Sequence, residues 1–381
     1  MKIRVIASTK PGYVLPKEEA NEFAGKSAGI CYLPDTIDAL LAEPAEKSLK
    51  RFGGTKKSGH VSPSFHASYN LVMEEIPKFL AMILNNEGLY NTSEKSARYT
   101  KMVPSEQEKP LYEKWIEKFK TVILEKHPNF KEEYAEKLAQ ENARYLLSVF
   151  TPATVMEYSV PFGQLNFLIY YAEKYIEEAG NDPFSMKVKD CLKEFLKAMP
   201  DLKEEGLDPD KKKLRFSIFA KRDRGTEFGE NYCTTYLGSF AELAQAHRHR
   251  TLNYEMKLLD EAKFYVPEII KDTELQVEWL ADISSLKNNY PQGMLVQINE
   301  RGTVENFVLK CTERLCGCAQ YEIMVQTKET MKTYLNETRD MPAVHDYLEP
   351  YSKGPRCTFP GWGGCPKPCV FGAKNALDRD I

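Results

Sequence analysis

Two distant stretches of the chain resemble each other, and this internal similarity limits how the chain can fold more than any other feature. Residues 166–175 align with residues 306–315 without a gap, with Asn, Phe and Glu identical. Residues 80–81 correspond to residues 243–244 in a second pair of apolar helical segments. Similarity of this kind is typical of duplicated structural units. The sequence therefore predicts two diverged tandem copies of one domain.

The spacing of apolar residues places helices and strands in both halves of the chain. The predicted strands lie at residues 3–7, 67–72 and 214–219, and the predicted helices start at Ile76 and cover residues 106–146 and 236–247. A run rich in Lys, Asp and Glu over residues 201–213 indicates a solvated linker. We predict the α+β class, each copy having a mixed or antiparallel sheet packed with helices. The predicted domains are residues 1–200 and 214–350, followed by a Cys-, Gly- and Pro-rich tail over residues 351–381.

The overall charge excludes one class of partner. The chain has 52 basic and 55 acidic residues, a formal net charge of −3, whereas proteins that bind nucleic-acid polymers present a broad basic surface. We therefore expect no nucleic-acid polymer as a partner. We also expect neither a membrane span nor a secretory signal, because no apolar run reaches the necessary length. Together with an odd number of cysteines, nine, these features favour a reduced, cytoplasmic protein.

A basic cluster ends the predicted helix at residues 236–247. Arg248, His249 and Arg250 follow Gln245 within one turn. The planar guanidinium of arginine suits a phosphate or a carbonyl-rich ring. The alternative is a solvated turn whose positive charge balances the helix dipole.

A second cluster places a carboxylate, a hydroxyl and a guanidinium at alternate positions. Glu94, Ser96 and Arg98 would point to one side of an extended backbone. Such a row can bind the sugar, base and phosphate of a nucleotide. The alternative is an ordinary polar strand edge.

Two further groups stand where a ligand could be held. Arg314 lies at the shoulder of an apolar helical face, where it either extends toward solvent or binds a buried anion. His60 and Ser62 follow Gly59 in a turn that would allow close approach to a planar cofactor. The alternative for that turn is a loop with ordinary capping residues.

Taken together, these clusters resemble the flavin-dependent thymidylate synthases, the ThyX family. That family has a Gly-His-x-Ser/Thr-Pro turn, then Arg-His-Arg-x-x-Ser-x-Asn-Glu-x-Ser-x-Arg-Tyr, and then an Arg five residues before Ala-Gln-x-Glu-Ile. The matching segments here are Gly59-His60-Val61-Ser62-Pro63, Glu94-x-Ser96-x-Arg98-Tyr99, Arg248-His249-Arg250, and Arg314 with Ala319-Gln320-Tyr321-Glu322-Ile323. Several independent matches make the resemblance specific.

The central run of the family is split between the two halves of this chain. The first half has Asn85-Asn86-Glu87 where the family has Arg-His-Arg, and the second half lacks the Glu-x-Ser-x-Arg-Tyr segment. Lys174 stands where the other copy has Arg314. Each copy has therefore lost what the other kept, which favours one site built from both halves.

The resemblance implies reductive methylation of dUMP to dTMP, with FAD as cofactor and NADPH and methylenetetrahydrofolate as co-substrates. It implies that the flavin is bound by His60, Ser62, Arg248, His249, Arg250, Asn299, Arg301 and Asn306. It implies that dUMP is bound by Gln245, Glu94, Ser96, Arg98 and Arg314. The candidate catalytic residues are Arg314, Ser96 and His60.

The resemblance also bears on assembly. The family is described as a homotetramer with sites between subunits, so two fused copies would form a homodimer that acts as a pseudo-tetramer. The alternative is a catalytically retired paralogue of the same fold that still binds flavin or nucleotide.

The C-terminal tail carries cysteines among Gly and Pro residues. Cys357, Cys365 and Cys369 resemble the ligands of structural zinc sites, with Cys316 as a fourth. The spacing contains no Cys-x-x-Cys pair, so a packed or disordered tail without metal is the alternative.

Overall fold

The computed structural model describes residues 6–33, 36–97, 100–209, 215–365 and 367–381. The predicted site residue Arg98 lies outside the described residues, as does most of the strand predicted at residues 3–7. Within the described ranges the chain mixes helices with small sheets, as the α+β class requires. No helix in these ranges is both long and apolar enough to span a bilayer.

In the first half, strands follow a helical N-terminal region. The strands are β1 (Ser68–Pro77), β2 (Asn91–Glu94) and β3 (Pro152–Pro161). The helices are α1 (Lys17–Ile30), α2 (Ile37–Leu41), α3 (Ala45–Lys57), α4 (Lys78–Asn85), α5 (Lys109–Lys126), α6 (Glu132–Ala143), α7 (Phe162–Glu178) and α8 (Pro183–Ala198). Short 3-10 turns lie at Ser62–Phe65 and Arg144–Leu146.

In the second half, strands and helices alternate before a helical C-terminal region. The strands are β4 (Asn231–Ser239), β5 (Asn253–Leu258) and β6 (Leu295–Thr303). The helices are α9 (Phe240–Ala246), α10 (Glu274–Ser285), α11 (Val304–Arg314), α12 (Tyr321–Glu337), α13 (Pro342–Ser352) and α14 (Gly372–Asn375). Short 3-10 turns lie at Glu268–Ile270, Lys287–Asn289 and Arg356–Thr358.

The two halves repeat one order of elements. Each has a strand, a short helix, a second strand, a helical insertion, a third strand and a longer helix. The three-stranded sheets are ordered β1-β3-β2 and β4-β6-β5, so the third strand lies in the middle of each. In the second sheet β6 pairs antiparallel with both neighbours. This repetition agrees with tandem duplication, which stays a prediction.

The chain divides into two compact units, and these do not follow the predicted domain boundaries. The first unit contains Met1–Met73, Leu89–Ser93 and Glu157–Arg215, and the second contains Glu74–Gly88, Glu94–Met156 and Phe216–Ile381. Much of the sequence assigned to the first predicted domain therefore lies in the second unit. The site described below is built from second-unit residues.

The second unit has a large aromatic and aliphatic core where α5, α6 and α10 pack together. Trp115 and Trp279 are fully buried and meet edge to face, with ring centroids 4.9 Å apart. The indole N–H of Trp115 donates to Asp282 at 2.7 Å, so its polar group is satisfied within the core. This packing fixes the end of α6. The next residue, Arg144, lines the cavity described below.

Several predicted elements are present. The strand predicted at residues 67–72 is β1, and the helix predicted from Ile76 is α4, which begins after Pro77. The helical pattern at residues 106–146 forms α5, α6 and a final 3-10 turn.

Two predictions need correction. The strand predicted at residues 214–219 is wrong for its described part, where only Phe219 forms an isolated bridge, with Met256. Phe216 and Ile218 are both buried in a loop that Ser217 anchors, so their alternation does not arise from a strand. The helix predicted at residues 236–247 starts only at Phe240, because the preceding residues complete β4.

Candidate functional site

A cavity of about 340 Å³ lies within the second unit. Its charged lining residues are the basic Lys78, Lys95, Arg144, Arg248 and Arg314 and the acidic Glu94 and Glu313. Its neutral polar lining residues are Ser96, Thr151, Thr154, Gln245 and Gln292. A concave site with an excess of basic groups is complementary to a small anionic ligand.

The cavity draws its residues from both halves of the sequence. Lys78 begins α4 and Glu94 ends β2, both in the first half. From the second half, Gln245 lies in the last turn of α9, Arg248 follows that helix, and Arg314 is the last residue of α11. The structure thus places Glu94, Ser96, Gln245, Arg248 and Arg314 around one cavity, and their roles in binding stay a prediction.

Glu94 joins the two separated parts of the central motif. Its carboxylate, only 1% exposed, accepts from Lys78 Nζ at 2.5 Å and from Arg248 Nη2 at 3.1 Å. Burial lowers the pKa of Lys78; Glu94 opposes this shift, whereas Arg248 adds to it. Glu94 therefore holds two cations at the wall of the cavity.

Arg314 is held in a fixed orientation. Its Nε donates to Nε2 of His249 at 2.7 Å, and its Nη2 donates to the carbonyl oxygen of Gln245 at 3.0 Å. Burial, reinforced by the Arg314 cation, holds the pKa of His249 well below its usual range. A neutral His249 that accepts at Nε2 carries its proton on Nδ1. His249 therefore acts here as a positioning residue for Arg314.

Arg144 is a cavity residue that the sequence-based interpretation missed. It is 5% exposed and lies in the 3-10 turn that follows α6. Its Nε and Nη2 are buried without a hydrogen-bond partner in the described part of the chain. The sequence signal for it was a single arginine within the otherwise apolar run 143–147. A cation is buried in such surroundings only when it binds a partner or a ligand. Lys78 was also missed.

The Ala-Gln-x-Glu-Ile segment supports the cavity from behind. Glu322 accepts from the backbone N–H of Ser239 at 2.8 Å and from its hydroxyl at 2.6 Å. It also accepts from the hydroxyl of Tyr145 at 2.8 Å, next to Arg144. Gln320 donates to that same tyrosine oxygen. These contacts fix the start of α9 and the turn that carries Arg144.

The other predicted flavin residues do not line this cavity. Asn299 donates to Thr235 Oγ1 at 3.0 Å and to the Thr234 carbonyl at 3.2 Å. Arg301 donates to Glu255 at 3.0 Å, and Asn306 donates to the carbonyl of Thr251 at 3.1 Å. Arg250 is exposed, as are His60 and Ser62, which belong to the first unit.

The structure gives the zinc hypothesis no support. Among the described residues, no group of three or more His, Cys, Asp or Glu side chains could hold a metal ion. Cys316, Cys357, Cys365 and Cys369 are free thiols.

Comparison with protein families gives a match to the first half of the chain. The family model described as thymidylate synthase complementing protein, which represents the ThyX family, matches residues 14–157. The matched region contains the turn of His60 and Ser62 and the segment that starts at Glu94. No curated protein matches the chain.

Proposed function

We propose that this chain, a member of the thymidylate synthase complementing protein (ThyX) family, converts dUMP to dTMP by reductive methylation with FAD, NADPH and methylenetetrahydrofolate. The family match supports a thymidylate-synthase type of enzyme. The single observation that carries the finer proposal is the basic cavity in which Glu94 and Ser96 meet Gln245, Arg248 and Arg314. Neither half of the sequence contains this set alone.

The cavity suits dUMP in size and charge. Pockets for small ligands begin at roughly 300 Å³, and this one has a volume of about 340 Å³. We assign the phosphate to Arg144, because this guanidinium lines the cavity and its Nε and Nη2 have no hydrogen-bond partner in the described chain. We assign the uracil ring to Arg314 and Gln245, and the sugar and base edge to Glu94 and Ser96. Arg98 joins this set by resemblance alone.

The residues act on dUMP by charge and orientation. Arg314 stabilises negative charge that develops on a uracil oxygen, and a guanidinium already fixed by His249 needs no reorganisation to do so. Arg314 is only 8% exposed, and its buried position strengthens that interaction because the local dielectric constant is lower than in water. The reduced flavin, when bound, supplies the hydride that completes the methyl group.

The flavin needs space beyond this cavity, since FAD contains two nucleotide units and dUMP contains one. The Arg248 side chain is 34% exposed and can therefore reach a ligand at the edge of the cavity. Arg250 is exposed two residues later. Such cations suit the diphosphate of FAD. We assign the flavin to Arg248 and Arg250, with His60 and Ser62 contributing as the resemblance implies.

By the same resemblance we propose a homodimer with two sites. The repeated β1-β3-β2 and β4-β6-β5 sheets support two fused copies of one domain in each chain.

The direct test is the purified protein itself. We expect a yellow flavin spectrum after addition of FAD, and NADPH oxidation that depends on both dUMP and methylenetetrahydrofolate. Arg314→Ala should abolish the dUMP response, whereas Arg339→Ala, which removes an exposed arginine of a surface helix end, should leave it unchanged. A protein that binds neither FAD nor dUMP would contradict the proposal. A protein that binds both without turnover would favour the retired paralogue.

A further inference from the structure

A second cavity of about 800 Å³ lies in the second unit and contains most of the cysteines of the chain. Its cysteine cluster consists of Cys316, Cys318, Cys357, Cys365 and Cys369. All five are in the reduced thiol form, and among them Cys318 is exposed and Cys316 is half-buried. The cavity is therefore a place where several thiols share one solvent-accessible space.

The Cys316-Gly317-Cys318 turn is the centre of this cluster. The backbone N–H of Cys318 donates to Sγ of Cys316 at 3.4 Å, so the turn folds back on the first sulfur. A Cβ at Gly317 would come within 2.5 Å of Sγ of Cys369, so only glycine allows the tail to pack against the turn. The two thiols of the turn are therefore held close together with a third beside them.

Two arginines of the tail flank the turn. The backbone N–H of Arg356 donates to the Leu315 carbonyl at 2.7 Å, and Nη2 of Arg379 donates to the Ala319 carbonyl at 2.6 Å. Both guanidiniums lie on the cavity wall with the thiols. Positive charge and hydrogen-bond donors stabilise a thiolate, which is the nucleophilic form of cysteine.

We propose that the Cys316-Gly317-Cys318 turn is a dithiol site that reacts with low-molecular-weight disulfides. The Cys316 thiolate attacks one sulfur of the disulfide, which forms a mixed disulfide at Cys316 and releases one thiolate. The Cys318 thiol then loses its proton to solvent and attacks Sγ of Cys316, which closes a Cys316–Cys318 disulfide and releases the second thiolate. The small disulfide is reduced to two thiols while the two protein thiols are oxidised.

The protonation of the thiols agrees with this order. The hydrogen bond from Cys318 lowers the pKa of Cys316 to about 6, with further contributions from Arg356 and Arg379. Cys311, only five residues earlier, is buried, and burial raises its pKa. Burial also raises the pKa of Cys191 to about 12. The proposal is independent of the function proposed for the first cavity.

Mass spectrometry of the intact, reduced protein tests this site. The probe is bis(2-hydroxyethyl) disulfide at pH 7, with samples quenched by an alkylating reagent and digested with trypsin. Cleavage after Arg314 and Lys328 gives a peptide with Cys316 and Cys318 as its only cysteines. We expect this peptide to lose both thiols to an internal disulfide, about tenfold faster than exposed Cys31 forms its mixed disulfide.

Matched variants separate reactivity from mere exposure. Cys318→Ser should trap the mixed disulfide on Cys316, and Cys316→Ser should remove the fast reaction. Cys31→Ser should change neither, and circular dichroism confirms that each variant is folded. Reaction of Cys316 no faster than that of Cys31, or a mixed disulfide that persists in the unaltered chain, would overturn the proposal. So would one tightly bound zinc ion per chain that blocks Cys316 until a chelator removes it.

Discussion

At the scale of single residues, Arg144 shows how buried donors that lack a partner in the described chain indicate a ligand. A buried guanidinium normally forms several hydrogen bonds, since leaving a buried donor unpaired costs about 1–3 kcal/mol. Arg144 leaves Nε and Nη2 without a hydrogen-bond partner in the described chain, and the residue lines a cavity that contains four other cations. A bound phosphate would satisfy these donors. The residue therefore lowers the stability of the free protein and raises its affinity for an anion.

Because Arg144 lowers stability and raises anion affinity, replacing it should change both properties. Arg144→Met should raise the free energy of unfolding of the ligand-free protein by about 1 kcal/mol, because it removes unpaired buried donors. It should also weaken dUMP binding by about 10- to 100-fold, the value of one or two charge-assisted hydrogen bonds. Urea denaturation and isothermal titration calorimetry measure the two effects. Arg339→Met, the exposed control, should change neither. A variant that is less stable but binds dUMP normally would assign Arg144 a structural role.

Buried histidines provide a second residue-scale prediction. His247 is 2% exposed, and burial, with contributions from Lys78 and Arg248, lowers its pKa to about 3. In the unfolded chain its pKa is near 6.5. As the pH falls below 6.5, His247 therefore becomes protonated in the unfolded state while it stays neutral in the folded state. The stability that neutral His247 contributes is complete above pH 6.5 and is lost progressively between pH 6.5 and 3.

The measurement compares the native chain with His247→Gln by urea denaturation at several pH values. The stability difference, native minus variant, should fall by up to about 1.4 kcal/mol per pH unit below pH 6. Carboxylates titrate in both proteins and cancel in this difference. A constant difference for His247→Gln would show that its protonation is not linked to folding.

At the scale of elements, Ser239 connects the sheet, the helix and the cavity. Its Oγ accepts from the backbone N–H of Glu242 at 3.0 Å and thereby caps α9. The same hydroxyl donates to Glu322 at 2.6 Å. Because α9 carries Gln245 and leads into Arg248, one hydroxyl fixes the position of two cavity residues.

Ser239→Ala should therefore affect both stability and binding. We expect the free energy of unfolding to fall by about 1–3 kcal/mol, since the helix loses its cap and Glu322 loses a buried partner. We expect dUMP binding to weaken by about tenfold through the displaced α9. The matched control is Asp182→Ala, which removes the cap of α8 in the first unit. It should reduce stability by about 1 kcal/mol and leave dUMP affinity unchanged. Equal dUMP affinity in both variants would contradict the positioning role of α9.

The sequence predicted long elements well and short ones poorly. The helices of residues 106–146 have many turns of amphipathic pattern, so their period is unambiguous. The run at residues 214–219 is too short for its alternation to separate a strand from a loop with two buried side chains. The start of the helix predicted at residues 236–247 was misplaced for a related reason. The strand β4 runs directly into α9, so no turn residues mark the change at residues 236–239.

For the candidate site, the sequence revealed the motif residues but not their partners. Glu94, Ser96 and Arg314 belong to recognisable spacings, and the structure places them around one cavity. Arg144 and Lys78 belong to none of the family motifs, and only tertiary packing brings them to that cavity. The role of His249 was also beyond the sequence, because its contact with Arg314 spans 65 positions.

At the scale of the whole molecule, the two halves of the sequence are interleaved. The second unit takes residues 94–156 from the first half and residues 216–381 from the second. All described lining residues of the cavity that we propose for dUMP belong to that unit of one chain, so we expect them to need no partner subunit. His60 and Ser62 lie in the other unit, and the family resemblance implies that such residues serve a site across a subunit interface. Cavity residues and flavin-turn residues should therefore behave differently when inactive chains are combined.

Co-expression of two inactive chains with different affinity tags tests this difference. Glu94→Ala combined with Arg314→Ala should show no dUMP-dependent NADPH oxidation, because every chain then has a damaged cavity. His60→Ala combined with Arg314→Ala should recover about a quarter of the native activity. Half of the dimers formed at random are mixed, and each mixed dimer would have one intact site of two. Light scattering tests whether the chains form dimers, and each variant expressed alone is the control. Recovery in the first pair would contradict a cavity within one chain, and no recovery in the second would show that His60 serves its own chain.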